Sequence, residues 1–123
     1  MNDNFIIPIT VSYDRVSDLL CSAFEGGSNH WIEEISVSEF PPEADFQYSQ
    51  DVPLRGGELK IKVYDGDEFV FNLKTIEKGL NVFFNLKEGE GGHHAPNFMK
   101  CQDDAETGDV FLQCCLFGEI MFV

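Results

Sequence analysis

Residues 58–74 read "ELKIKVYDGDEFVFNLK", and the fold class turns on them. Leu59, Ile61 and Val63 alternate with Glu58, Lys60, Lys62 and Tyr64; Phe69, Phe71 and Leu73 repeat the alternation. A period of two belongs to a half-buried strand. Between the two runs lies Asp65-Gly66-Asp67, a set of residue types that favours a tight turn. Pairing Val63 with Phe69 and Ile61 with Phe71 puts the apolar side chains on one face and leaves those three residues as the loop. A two-residue Asp-Gly loop would set Val63 opposite Glu68, so it is rejected. The centre of the chain is therefore an antiparallel hairpin with one dry face.

On the N-terminal side, "WIEEISVSEF" (31–40) reads as another strand. Trp31, Ile35 and Val37 point to one side, and Glu34, Ser36 and Ser38 to the other. "FIIPITVS" (5–12) reads as a first strand, with Pro8 favouring an edge or a bulge. Between them, Tyr13 to Glu25 has helical spacing: Val16, Leu19, Leu20, Ala23 and Phe24 form one stripe. Asp14 is placed to cap this helix and Gly26 to end it in a left-handed turn. Trp31, the only tryptophan, is expected to pack over the end of that helix. Residues 41–57 form a long connection containing three prolines and two glycines.

On the C-terminal side, "TIEKGLNVFFNLK" (75–87) switches to helical spacing, with Ile76, Leu80, Phe83 and Phe84 on one face and Thr75 as a cap. Gly79 inside it costs about 1 kcal/mol relative to alanine. "GEGGHHAPNFMKC" (89–101) reads as a loop leading to a short helix opened by Pro96. Acids at 103–109 then suit a helix N-terminus. Val110 to Phe117 is apolar all round apart from Gln113, which marks either a central core helix or a subunit interface. Gly118 would stop it, and "EIMFV" could return as a final strand. The fold class is α+β: an antiparallel sheet of about four to five strands with about three helices packed on one face, in a single domain over 1–123.

Charge is the strongest compositional signal. Of 123 residues, 22 are acidic and 8 basic, a net charge of −14. Between Arg15 and Arg55 there is no base, yet that stretch holds Asp18, Glu25, Glu33, Glu34, Glu39, Glu43, Asp45 and Asp51. Such a field repels nucleic acid and anionic membrane and attracts basic partners. The N-terminus lacks the basic and long apolar segments of a secretory signal, and no apolar run reaches the roughly 18 residues of a membrane span. The expectation is a cytoplasmic protein with no membrane partner and no direct nucleic-acid binding.

Candidate chemistry is sparse. His93, His94 and Cys101 lack zinc-ligand spacing. "YDGDE" (64–68) lacks the loop of a calcium site, and "GEGG" (89–92) has no following Gly-Lys-Ser/Thr. Cys114 and Cys115 lie in the most apolar segment, where a thiolate is disfavoured. With Cys21 and Cys101 they read as reduced thiols without a disulfide framework. The expectation is no enzyme, no metal and no cofactor.

Two segments resemble a known group. "LLCSAFEGGSNHWIE" (19–33) is similar to an "ALEGGxNYW" signature, and "DDAETGDVFLQCCLFGEIMF" (103–122) to a "DAETADxxLQxALFGEVVY" ending. Together they resemble a family of short, mostly uncharacterised bacteriophage and prophage proteins. The departures are His30 for tyrosine and Gly108 for alanine. The resemblance implies a mobile-element protein acting inside a bacterium, and it brings no catalytic residues.

The functional expectation joins that context to the charge: an acidic inhibitor that occupies the basic groove of a host defence protein or nuclease complex, of anti-CRISPR or anti-restriction type, as a DNA mimic. The candidate contacting residues are Glu33, Glu34, Glu39, Glu43, Asp45 and Asp51, with no catalytic or metal residues. The alternative is a structural phage module that oligomerises, as a homodimer for example, through its apolar C-terminal segment.

Overall fold

The computed structural model describes residues 8–43 and 45–122. Strands β1 (Ile32–Glu39), β2 (Glu58–Val63) and β3 (Glu68–Phe71) form one antiparallel sheet in the order β1-β2-β3. The α-helices are α1 (Tyr13–Ser22), α2 (Asp51–Leu54), α3 (Leu73–Phe84), α4 (His94–Met99) and α5 (Ala105–Phe117). The α+β class holds; the counts do not. Among the described residues there are three strands, not four or five, and five helices, not three.

Both missing strands have a physical reason. Residues 8–12 form no strand, because Ser12 is already the N-cap of α1, its hydroxyl accepting from Arg15 N–H at 3.3 Å. Ser12, and not Asp14, therefore caps that helix. Residues 5–7 of the expected first strand lie outside the described residues. At the other end, residues 120–122 find no strand partner. The buried Gln113 side chain takes its place: Oε1 accepts from Met121 N–H and Phe122 N–H, both at 2.8 Å, while Nε2 donates to the Phe122 carbonyl at 2.9 Å. A side-chain amide thus answers the backbone as a neighbouring strand would.

The hairpin has the expected faces in a different register. Ile61 pairs with Phe69 and Leu59 with Phe71, a slip of two residues that preserves which side chains face the core. The loop is Tyr64-Asp65-Gly66, closed by Gly66 N–H to the Val63 carbonyl and Val63 N–H to the Asp67 carbonyl, each at 3.0 Å. Gly66 takes φ 102°, the left-handed position that follows a type I turn in a three-residue hairpin loop. In β1 the pairing jumps between Ile32↔Val63 and Glu34↔Lys62. This bulge at Glu33 lets Trp31 and Ile32 both be buried and puts Glu33 and Glu34 both in solvent.

Helix α5 is the core of the molecule. Every residue from Thr107 to Cys115 is buried, and the helix packs between α1 and α3. Asp104 caps it through a reciprocal pair with Thr107, and Gly118 ends it at φ 73°. An all-apolar helix could have meant core or subunit interface; the packing is core. Gly79 explains itself here, since a Cβ at that position would sit 2.1 Å from Cys115 Sγ and 2.7 Å from its Cα. The helix propensity lost at Gly79 is the condition for α3 and α5 to cross closely. Arg15 ties α1 to the start of α5, donating to Asp103 Oδ1 at 2.8 Å and to the Phe98 carbonyl at 2.9 Å. Among the described residues, no helix is long and apolar enough to cross a membrane.

Candidate functional site

The turn that ends α1 and helix α5 meet at one buried carboxylate. Helix α1 does not stop at Gly26 in a left-handed turn; it widens into a π-helical turn, Ala23–Gly27, where Gly26 is extended at φ 170°. Ser28 N–H then reaches back to the Ala23 carbonyl at 2.9 Å. This turn aims Ser28 and Trp31 at Asp109 on α5. Ser28 Oγ donates to Asp109 Oδ1 at 2.6 Å, Trp31 Nε1 to the same oxygen at 2.7 Å, and Gln113 Nε2 to Oδ2 at 3.1 Å. Asp109 is the only buried carboxylate among the described residues, and three donors satisfy it. Trp31 stacks on Phe122 at 5.5 Å and meets Phe117 edge-on at 5.3 Å. It packs against the end of α5 and the C-terminal segment.

Beside this junction lies a cavity of about 830 Å³. Its walls are the turn at Gly27 and His30, the glycine-rich loop with Leu86 and Glu90, the paired His93 and His94, the first two turns of α5, and the segment Gly118 to Phe122. The apolar floor is Leu86, Val110, Ile120 and Phe122; Glu90, Glu106, Asp109 and Glu119 add carboxylates, and no lysine or arginine lines it. His94 is 3% exposed. Its Nδ1 lies 3.2 Å from Thr107 Oγ1, and the Thr107 hydroxyl donates onward to Asp104 Oδ1 at 3.0 Å. With the Thr107 hydroxyl proton on Asp104, the imidazole N–H that faces threonine is on Nδ1 and Nε2 is an acceptor. Burial, and next the neighbouring His93, push the His94 pKa below its usual value and favour this neutral form. Nε2 has no hydrogen bond among the described residues; Glu106 Oε1 is its nearest charge, at 3.9 Å.

The six acids expected to contact a partner fall into two groups. Glu33 sits on the β1 bulge, 3.9 Å from Lys62 Nζ, and Glu34 lies opposite Lys62 in the sheet register. Lys60, 3.8 Å from Glu68, lies one pair further along the same outer face. Lysines thus interrupt this part of the array. Glu39 closes β1 opposite Glu58, with Glu43 and Asp45 exposed in the connection that follows. Asp51 starts α2 and is half-buried; its Oδ2 accepts from Gln47 and Tyr48 N–H at 3.3 and 3.1 Å. Arg55 donates to the Asp45 carbonyl, leaving the Asp45 side chain in solvent.

Reading the sequence overlooked Ser28, Thr107 and Asp109, and with them the cavity. One signal was present: from Gly108 to Phe117, Asp109 and Gln113 are the polar residues of an otherwise apolar stretch of α5, four apart and so on one face. The cysteines divide by burial. Desolvation raises the Cys114 pKa to about 12 and that of Cys115 well above its usual value, whereas Cys101 is exposed. No three His, Cys, Asp or Glu side chains converge to hold a metal ion among the described residues. No protein-family profile, curated protein or solved structure matches this chain.

Proposed function

We propose that this protein is an acidic inhibitor that binds the basic groove of a nucleic-acid-handling defence complex and keeps DNA out of it. The observation that carries the reading is the unneutralised surface charge. Among the described residues, every carboxylate side chain but Asp109 reaches the surface, and only Asp18, Glu33, Glu68 and Asp103 lie within ion-pair distance of a lysine or arginine. A surface of this kind steers toward a cationic groove, quickly at low salt and slowly at high salt.

Within the sheet, Glu39 lies beside the register shift at the end of β1, and its register partner Glu58 has its carboxylate engaged by Ser38 Oγ at 2.9 Å and Asn72 Nδ2 at 3.1 Å. Glu39, Glu43 and Asp45 are the strongest contact candidates, since Lys62 answers Glu33 and lies opposite Glu34 in the register, and the chain's own backbone answers Asp51. The resemblance to phage proteins supplies the setting, a bacterial host with defence nucleases. Assembly through the C-terminal segment has less support, because Phe111 is fully buried within one chain.

The test is displacement of fluorescent DNA from purified CRISPR effector and restriction complexes. The reading expects stoichiometric displacement from one of them, weakening as salt rises. Unchanged DNA binding across the panel overturns it.

A further inference from the structure

The side chains of fixed charge that line the cavity beside α5 are all carboxylates. The donors around Asp109 are already engaged: Ser28 Oγ, Trp31 Nε1 and Gln113 Nε2 all point at its carboxylate. What remains is a set of acceptors, His94 Nε2 and the carboxylates of Glu90, Glu106 and Glu119, beside the rings of His30 and His93. His94 matters most, because it is a deeply buried side chain whose free nitrogen has no partner among the described residues and still is not sealed from the cavity. The same cavity is lined by Val110, Ile120 and Phe122. A volume of about 830 Å³ is that of a small-molecule site, larger than one protein side chain fills.

The geometry points to a binding site for a small organic amine: an ammonium group that donates its N–H to His94 Nε2 and Glu106, carried on an apolar body lodged against Val110, Ile120 and Phe122. A neutral molecule leaves the rim carboxylates without a counter-charge. An anion meets four carboxylates and no lysine or arginine. A quaternary ammonium has the charge and lacks the N–H that the bare imidazole nitrogen requires. The site is separate from the acids of the sheet and of the 41–51 connection, and stands or falls without them.

The full-length chain, isotope-labelled, is titrated with phenethylammonium, phenethyl alcohol, phenylpropionate and phenethyltrimethylammonium while NMR follows the Val110 and Ile120 methyls and the His94 ring nitrogens. Phenethylammonium should saturate with shifts centred on these groups. It should bind at least about tenfold more tightly than the alcohol or the trimethyl cation, the size of one charge-assisted hydrogen bond; phenylpropionate should not bind. In the free protein, His94 Nε2 should show the resonance of an unprotonated ring nitrogen. Glu106→Gln, at an exposed position, should weaken the ammonium several-fold with the fold intact, and His94→Phe should reduce it to the level of the alcohol. If His94→Phe does not fold, the Nε2 resonance of the wild type and Glu106→Gln decide. Equal binding of ammonium and alcohol, tighter binding of the anion, shifts spread over the acidic surface instead of the cavity, or a protonated Nε2 in the free protein each overturn the proposal.

Discussion

Replacing Asp109 tests whether the α1 turn, β1 and the C-terminal segment are held together by one carboxylate. Asp109→Ala strips the acceptor from three donors, Ser28 Oγ, Trp31 Nε1 and one Gln113 N–H. Ser28 and Trp31 are 0% and 2% exposed, so water reaches them poorly. Hydrogen bonds to a charged group contribute about 1.5–3 kcal/mol each. Gln113 Nε2 keeps the Phe122 carbonyl, and the adjoining cavity admits some water, so the sum lies toward the low end, about 3–5 kcal/mol. For a chain of this length that lowers Tm by roughly 10–20 °C. Asp109→Asn should be milder. Its carbonyl can still accept from Ser28 and Trp31, while its amide meets the Gln113 amide donor to donor, a single conflict of about 1–2 kcal/mol. Urea unfolding followed by Trp31 fluorescence reads both variants, because the only tryptophan is the reporter at the junction itself. An alanine variant within about 0.5 kcal/mol of wild type, or an asparagine variant as damaged as alanine, would refute the reasoning.

Other outcomes follow from particular contacts. Gly79→Ala gains about 1 kcal/mol of helix propensity but drives a methyl into the Cys115 backbone; calorimetry should show a net loss of about 1–3 kcal/mol. Glu39→Thr, at an exposed position at the end of β1, should change stability by no more than about 0.5 kcal/mol, while weakening capture of a basic partner. Acid should destabilise the fold in two steps. Burial lowers the His94 pKa from 6.5, so the unfolded chain protonates first and stability is lost as pH falls below that value. The backbone N–H of Thr107 lowers the Asp104 pKa from 3.8, so a second loss follows below that pH. Urea midpoints measured from pH 7.5 down to pH 3 should fall in both windows, and His94→Phe should flatten the first.

The class of the fold was legible because period-two runs and an all-apolar helix constrain it from local sequence alone. The apolar face of the hairpin came through even though its register slipped, since a shift of two leaves parity unchanged. What failed was set by tertiary partners. Nothing local distinguishes Ile120–Phe122 from an edge strand; a glutamine seven residues upstream satisfies its backbone. Ser12 and Asp14 are both good caps, and the start of the helix chose between them. Trp31 was placed as a packing residue, but its contacts with α5 and the C-terminal segment were not foreseen, because its partner carboxylate lies 78 positions away. The cavity was invisible for the same reason: His30, His94, Glu106 and Ile120 belong to four separate segments. The acid-rich stretch was plain in the sequence, and the lysines set between its members were not, since Lys60 and Lys62 join it only across the sheet.

The most direct measurement compares DNA displacement from the responsive defence complex by the wild-type protein and by a Glu39→Gln, Glu43→Gln, Asp45→Asn variant. Removing three exposed carboxylates at a charged interface should weaken displacement about tenfold or more and flatten its dependence on salt. Displacement by the variant equal to that of wild type, with the same salt dependence, would contradict binding through these acids.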